Sequence, residues 1–304
     1  MNSSDQPTRV FSEHRDLLIS VAYRILGSVG DAEDTVQEAW LRWVRVDPSK
    51  VEDPRAFLVR TTTRLAIDRL RRAKVRRESY VGPWLPEPTL TGSDVADDLA
   101  LAESVSIAML VVLETLSPLE RVVFVLREAF GMPYAEIAEI LGRKEEAVRQ
   151  LARRARDHVH DRSVRFETDQ ATRRQVTESF LKATTSGDLE ALMRILAPGV
   201  TLVADGGGRA LAPRRPLRGS EEVARFLLAT ATEAQTARFL RSIGVEPPRE
   251  IRVRLAQVNG GPGILVTSEE RPITVIVLDV ADGVVHAVYL VANPDKLGGA
   301  IETP

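Results

Sequence analysis

The chain has 304 residues, 44% of them apolar, and a formal net charge of −2, which suits about two or three globular domains and excludes a short peptide or a disordered tail. Cysteine is absent and the four histidines are scattered, so disulfides, thiolate metal sites, a structural metal and a cofactor are not expected. Met1 to Pro7 has neither a basic nor an apolar leader segment, and no apolar run is long enough to span a bilayer, so the expected place is the cytoplasm, with no membrane contact.

The near-neutral total hides a local asymmetry. Arg60 to Arg77 carries eight Arg or Lys against one Asp, whereas Glu87 to Glu103 carries five acids and no base. Ahead of these, Leu17, Leu18, Val21, Ala22, Ile25 and Leu26 repeat at helical spacing and predict a first helix over 9–27, stopped by Gly27. A second helix is expected from Asp31 as N-cap, with Asp34 three residues on. Val36, Ala39, Trp40 and Trp43 form its inner face, and Asp34, Gln37, Glu38 and Leu41 form an acidic and apolar outer patch.

Asp53-Pro54 is a cap followed by proline and opens a third helix that buries Phe57, Leu58, Thr61, Leu65 and Leu70. Its outer side, with Arg60, Arg64, Asp68, Arg69, Arg71, Arg72, Lys74, Arg76 and Arg77, suits nucleic-acid phosphates, with Thr61, Thr62 and Thr63 as hydroxyl donors. A solvated surface, or pairing with the chain's own acidic run, is the plainer alternative. The prolines of Gly82-Pro83-Trp84-Leu85-Pro86-Glu87-Pro88 exclude a regular helix and make a stiff linker with an exposed-looking Trp84. A further helix is expected from Ser93, with Leu99, Ala102, Val105, Met109 and Leu113 on its apolar side.

Ser117, Pro118 and Glu120 form a capping-box start for a helix with Val122, Val123, Leu126 and Phe130 on one face. Two more helices follow across Gly142: Ile137, Ala138 and Leu141 mark the apolar face of one, and Val148, Leu151, Ala152 and Ala155 that of the other. This is a helix-turn-helix pattern. Lys144, Glu145, Glu146, Arg149, Gln150, Arg153 and Arg154 lie off the stripe, and these side-chain types pair with base edges or phosphates. A solvated, salt-bridged face is the alternative.

Beyond Arg173 the pattern changes to α+β. A helix with Val176, Phe180, Leu181 and Ala183 leads to a strand Val200 to Ala204 and the sharp Asp205-Gly206-Gly207-Gly208, followed by a helix from Glu221 to Leu228. Strands are then expected over Ile251 to Val258, Ile264 to Thr267, Pro272 to Val280 and Val284 to Val291, with turns at Asn259-Gly260-Gly261 and Asp282-Gly283. This segment resembles SnoaL-like domains, some of which use a pocket carboxylate or histidine to move a proton beside a carbonyl, and the resemblance implies that Asp205, His286, Tyr289 and Asn293 could lie near one mouth. Asp205 before three glycines is equally a turn residue capping backbone donors, and His286 is equally packed or solvated.

The run Asp31 to Leu41, the basic helix ending Ile67-Asp68-Arg69-Leu70-Arg71-Arg72, and Leu116-Ser117-Pro118-Leu119-Glu120-Arg121 with its helix-turn-helix resemble the extracytoplasmic-function sigma factors of bacterial RNA polymerase over about the first 160 residues. The later segment resembles a SnoaL-like fold with an internal pocket. Together with Trp84-Leu85-Pro86-Glu87-Pro88, Asp205-Gly206-Gly207-Gly208 and Asn293-Pro294-Asp295-Lys296-Leu297, the chain is similar to the sigma-factor subgroup carrying that domain as a fused regulator.

The resemblance implies two all-α sigma domains, the second with the helix-turn-helix, followed by an α+β SnoaL-like cone with a curved antiparallel sheet. Its expected boundaries are 8–80 for sigma region 2, 81–98 for a Pro-rich and acidic linker, 99–162 for sigma region 4, and 170–298 for the regulatory domain. It implies core RNA polymerase as partner, with Asp31, Asp34, Gln37, Glu38 and Leu41 on the β′ coiled coil, and contact with the β flap. Promoter DNA is the second partner. Arg60, Thr61, Arg64, Asp68, Arg69, Arg71 and Arg72 would open and hold the melted −10 element, and Lys144, Glu145, Glu146, Arg149, Gln150, Arg153 and Arg154 would read the −35 duplex.

Trp84, Leu85, Pro86, Asp205, Gly206, Gly207, Gly208, Asn293, Pro294 and Asp295 would make the regulatory interdomain contacts, and the pocket admits a small-molecule ligand. The expected chain is not an enzyme. Two alternatives stay open: a ligand-responsive helix-turn-helix regulator that is not a polymerase subunit, and a SnoaL-like cyclase or isomerase fused to DNA-binding helices.

Overall fold

The computed structural model describes residues 6–47, 50–91, 106–163, 168–247 and 249–298. The chain divides into two compact units, 1–78 with 112–162, and 79–111 with 163–304. The helix expected from Ser93 lies outside the described residues up to 105; its continuation, α4 below, is seen from Ile107.

The first unit is helical. α1 (Gln6–Leu26), α2 (Val29–Trp43) and α3 (Pro54–Glu78) pack through Leu18, Val21 and Ile25, through Val36, Ala39 and Trp43, and through Leu58, Leu65, Ala66 and Leu70. Trp43 is fully buried and its indole Nε1 donates to Pro7 O at 2.9 Å. α1 ends at Gly27, with φ of 70°, where a side chain would be strained. The N-cap of α2 is Ser28, not the expected Asp31: Ser28 has the extended backbone a cap needs, and its Oγ accepts from Asp31 N at 3.2 Å. Asp53 caps α3 through Ala56 N at 2.9 Å, with Pro54 as first helical residue.

α4 (Ile107–Glu114) belongs to this unit from Val112 on. α5 (Pro118–Phe124) starts at the Ser117–Glu120 capping box and runs into a π-helical turn, Val125–Ala129, where a uniform helix is expected from the apolar spacing. The turn keeps Val125 and Leu126 buried. α6 (Tyr134–Leu141) buries Ile137, Ala138 and Ile140, with Ile140 taking the place expected for Leu141. Gly142 closes α6 in the left-handed region, φ 61° and ψ 42°, and α7 (Glu145–Ser163) packs back through Val148, Ala152, Ala155 and Val159.

The second unit is α+β. α8 (Gln170–Ser186) and α9 (Leu189–Ile195) precede β1 (Leu196–Asp205) and β2 (Leu217–Arg218). α10 (Ser220–Thr230), α11 (Glu233–Ser242), β3 (Ile251–Val258), β4 (Gly261–Ser268), β5 (Arg271–Ala281) and β6 (Val284–Val291) complete it, and a 3-10 turn, Pro294–Lys296, follows. The sheet order is β2-β1-β6-β5-β4-β3. Strands β3 to β6 form antiparallel hairpins, but β1 runs parallel to β6, so the sheet is mixed rather than wholly antiparallel. The connection from β1 to β6 spans two helices and four strands, so no tight hairpin dictates an antiparallel pairing there. Breaks in register near Thr267 and Val280 are sites of the local bending that β-bulges give.

Two apolar clusters flank the sheet's residues. One joins Val176, Phe180, Leu192, Val223 and Leu227 of the helices to Leu202, Ile264, Leu278 and Val288. The other joins Leu265, Val275, Tyr289 and Val291 to Leu85, Ile107, Ala108 and Leu297.

Candidate nucleic-acid interface and linker clamp

Along α2 the inward side is fixed by burial of Ala32, Thr35, Val36, Ala39 and Trp43. That leaves Asp34, Gln37, Glu38 and Leu41 in solvent on the other side, Leu41 at 51% exposure beside Val44 at 44%. Two exposed apolar side chains among acids are a surface suited to a partner. Asp31, expected with this set, instead faces α3: its carboxylate lies 3.7 Å from Arg69 Nε and 4.0 Å from Arg76 Nη2.

The basic face of α3 divides into three parts. Arg71 and Arg72 are exposed, Arg71 paired loosely with Asp68 at 3.4 Å. Arg69 does not belong with them. Its guanidinium donates to Asp31 O at 3.0 Å, Thr35 Oγ1 at 3.1 Å and Asp34 Oδ2 at 3.3 Å, so it braces α3 to α2. Arg60 and Arg64 reach α6: Arg60 Nη2 pairs with Glu139 Oε2 at 3.1 Å, and Arg64 Nε donates to Ile140 O at 3.0 Å. A cation there also favours the negative end of the α6 dipole. Of the threonines expected as donors, Thr62 and Thr63 are fully buried and Thr61 donates to Phe57 O at 2.8 Å. The misassignment has a plain cause: a helix whose buried face includes Thr and Ala shows weak polarity contrast, so spacing alone did not separate wall from surface.

Behind this face lies a buried charge cluster. Glu114 accepts from both Arg77 and Arg121. Arg121 is 1% exposed, and its Nε and Nη2 donate to Arg24 O, both at 3.2 Å. Arg77 Nη2 donates to Leu26 O at 2.9 Å. Burial lowers the Arg77 pKa from its usual value, with Glu114 opposing. Arg77, read from sequence as part of the phosphate stripe, is therefore structural.

On the helix-turn-helix, Lys144, Glu146, Arg149, Gln150, Arg153 and Arg154 are exposed and Glu145 is half-buried. Arg149 is held by Glu145, whose Oε1 accepts from its Nη2 at 2.6 Å and its Nε at 3.1 Å. A helix offering this many arginine and glutamine donors outward, with Val148, Ala152 and Ala155 buried on the other side, is equipped for a major groove.

In the second unit the linker is held by one carboxylate. Asp205, at the end of β1, is 0% exposed. Its Oδ1 accepts from Tyr80 Oη at 2.6 Å and Gly207 N at 3.0 Å; its Oδ2 accepts from Leu85 N at 2.9 Å and Lys296 Nζ at 2.7 Å. Lys296 also donates to Leu85 O at 2.5 Å and lies 3.9 Å from the Trp84 ring centroid. Asn293 Nδ2 donates to Tyr80 Oη at 2.8 Å and its Oδ1 accepts from Asp295 N at 3.1 Å. Burial, followed by the hydrogen bond to Asp205, raises the Tyr80 pKa above the usual tyrosine value.

Glycine is required beside this carboxylate. A Cβ on Gly207, whose φ is 63°, would sit 2.4 Å from Asn293 Cγ, and one on Gly206 would sit 2.6 Å from Ala210 O. Leu85, Pro86 and Pro88 are buried, whereas Trp84 is half-buried over Lys296. Leu85 is therefore a linker side chain fully withdrawn from water, and Trp84 is less exposed than its setting between prolines suggests. Pro294 starts the 3-10 turn that carries Lys296, and Asp295 pairs with Arg209 at 2.9 Å. Sequence reasoning misses Tyr80 and Lys296 as site residues, since a lysine inside the polar Asn293-Pro294-Asp295-Lys296-Leu297 carries no mark of burial. Thr89 and Asn259 exchange backbone and side-chain bonds, and Leu90 bridges Val258, which extends the hold along the linker.

Of the residues read for proton transfer, Asp205 and Asn293 meet at the Tyr80 hydroxyl, and His286 is half-buried on β6. Both oxygens of Asp205 are taken by donors, Asn293 is tied to Tyr80, and Tyr289 belongs to the cluster with Leu85. Phe180, Leu192, Leu202, Val223 and Val288 pack together between the helices and the sheet. A cavity of about 380 Å³ lies elsewhere in the unit, lined by Val245, Arg249, Glu269, Arg271, Pro272 and Leu297 among others. Among the described residues no helix is long and apolar enough to cross a membrane.

Residues 10–76 match the family described as Sigma-70 region 2 and residues 106–159 the family described as Sigma-70, region 4. The chain is 41% identical over 295 residues to the ECF RNA polymerase sigma factor SigJ of Mycobacterium tuberculosis, covering 95% of this chain and 93% of that protein. The crystal structure of M. tuberculosis SigJ matches with a TM-score of 0.75 and 39% identity, over 95% of this chain and 97% of that one. The probable ECF sigma factor SigI of the same species is 38% identical over 203 residues, 66% of this chain and 70% of that protein.

Proposed function

This chain belongs to the extracytoplasmic-function sigma factors of RNA polymerase, and from that premise we propose which of its surfaces does which part of the work. Sigma factors bind core polymerase and promoter DNA. Here the exposed side of α2, with Asp34, Gln37, Glu38 and Leu41, docks on the β′ coiled coil, and the α4–α7 module reaches the β flap. Arg71 and Arg72, joined by Arg60 and Arg64 once these exchange their contacts with α6, hold the melted −10 strand. α7 reads the −35 duplex through Arg149, Gln150 and Arg153, with Lys144 and Arg154 on phosphates. The setting is the cytoplasm, where polymerase works.

The observation that carries this reading is the apolar and acidic face of α2, with Leu41 51% exposed. A repressor that only binds duplex DNA has no use for it. Regulation in cis is supported by the Asp205–Lys296 clamp. The segment that covalently connects α3 to α4 is fastened inside the α+β unit through Tyr80 and Leu85, so the state of that unit limits how far the two DNA-binding modules can separate. A small-molecule ligand of the α+β unit would act through the same fastening.

The test is reconstituted transcription with core polymerase. Charge reversal by Gln37→Lys with Glu38→Lys is expected to weaken core binding at least about tenfold, the scale of desolvated charge complementarity at an interface, while duplex binding by α7 persists. Core binding that withstands the double reversal would overturn the docking assignment.

A further inference from the structure

Tyr134 opens α6 but does not serve the usual needs of that position. It makes no cap, and it is not among the buried core residues. Instead it gathers arginines. The Arg149 guanidinium carbon lies 5.3 Å from the Tyr134 ring centroid, and that of Arg127, from the π-helical turn, lies 4.7 Å from it. Arg156 Nη2 is 3.5 Å from the Tyr134 hydroxyl, a marginal hydrogen bond. Arg127 is itself anchored, its Nη1 donating to Met132 O at 3.0 Å.

We propose that Tyr134 is a positioning residue for base reading: its ring, with Glu145, pre-sets the Arg149 guanidinium that reads the −35 duplex. The proposal rests on the assignment of α7 to the −35 element. An exposed arginine explores many rotamers, and docking must freeze them. Glu145 occupies Nε and Nη2 of Arg149, and the aromatic face attracts the guanidinium plane. The Nη1 side stays available for a base. Arg127 brings further positive charge to the same spot, where a phosphate of the bound duplex can neutralise it, and Arg156 adds to it beyond its loose pair with Glu128 at 3.8 Å. The π-helical turn has a role in this arrangement, since Arg127 on that turn is anchored beside the ring.

The experiment selects bound sequences with reconstituted holoenzyme from a duplex library randomised over the upstream promoter region. Wild type, Tyr134→Phe, Tyr134→Leu, Arg149→Ala and the Tyr134→Leu/Arg149→Ala double variant are compared. Arg149→Ala removes the preference at its contacted position. Tyr134→Leu lowers the preference at that same position about threefold to fivefold, the scale of one exposed cation–π contact, and Tyr134→Phe retains it. In the Arg149→Ala background, Tyr134→Leu has no further effect.

A merely structural tyrosine would weaken binding in both backgrounds, which would overturn the proposal, as would an unchanged profile for Tyr134→Leu beside an altered one for Arg149→Ala. An unchanged profile for Arg149→Ala instead removes the −35 assignment of that residue, and the proposal with it.

Discussion

The helical unit and the α+β unit use charged side chains in opposite ways. On the outer faces of α3 and α7 some cations are paired with carboxylates that still meet solvent, as Arg60 is with Glu139 and Arg149 with Glu145. Such pairs contribute little stability and exchange readily. In the α+β unit, Asp205 and Lys296 are withdrawn from water and bonded to each other, to Tyr80, to Leu85 and to Gly207. The cost of desolvating two ions is offset only while all those partners remain in place. Charges that meet a partner are kept exchangeable, and charges that fasten the linker are kept dry.

The largest effect should come from removing the dry carboxylate. Asp205→Ala removes the buried carboxylate paired with Lys296 and frees Leu85 N and Tyr80, so the α+β unit should lose about 3–5 kcal/mol, the scale of breaking a buried pair. Urea unfolding of the full chain, followed by the near-ultraviolet signal that includes Trp84, measures it. A loss below about 1 kcal/mol would put Asp205 in the exchangeable class and end the contrast.

Gly207→Ala tests the same clamp without touching a charge. The added Cβ must enter the left-handed region and displace Asn293, which is held by Tyr80, so a loss of about 2–4 kcal/mol is expected from the two penalties together. Promoter output in reconstituted transcription should change as well. Near-neutral stability with wild-type transcription would mean that Asn293 simply yields, and that the loop does not transmit the linker's state.

The local elements of both units are legible in the sequence. The Ser117 capping box, the Gly142 turn, the Asp53-Pro54 start and the strands around Asn259-Gly260 and Asp282-Gly283 each depend on a few adjacent residues, and such local chemistry survives any tertiary context. The Glu269–Glu270 turn did not announce itself. Both residues have positive φ, 48° and 67°, and no glycine or asparagine marks the place; the pairing of β4 with β5 imposes it. Helix α11, with Leu240 as its one buried hydrophobic, carried too faint an apolar stripe to be read. The long-range partners were the least readable. Arg69 and Arg77 look identical to Arg71 and Arg72 in a string of arginines, and only the approach of α2 and Glu114 separates them. The three motifs around Trp84, Asp205 and Asn293 were visible as motifs, but that Lys296 is the ion joining them is a fact of packing.

Glu114 is the exception inside the helical unit and sharpens the comparison. It is the counter-ion of Arg77 and of the buried Arg121. Glu114→Gln keeps the shape and removes the charge, leaving two guanidinium groups facing each other, and should cost about 2 kcal/mol, the scale of a hydrogen bond to a charged group. Thermal unfolding reads this. A larger loss than that of Asp205→Ala would place the most demanding electrostatics in the wrong unit.

Glu139→Ala should have the smallest effect and is the most direct probe of exchangeability. The Arg60–Glu139 pair is exposed on both sides, 41% and 66% by side chain, so its loss should change stability by less than about 1 kcal/mol. Arg64 keeps its bond to Ile140 O, because that contact uses backbone and not the deleted carboxylate. What the substitution does release is Arg60, so polymerase-dependent complex formation on promoter DNA should be unchanged or modestly stronger, with a steeper dependence on salt as one more cation becomes free to meet a phosphate. A destabilisation comparable to that of Asp205→Ala, or a weaker promoter complex, would show that this pair is structural and that the surface of α3 is fixed in the manner of the linker clamp.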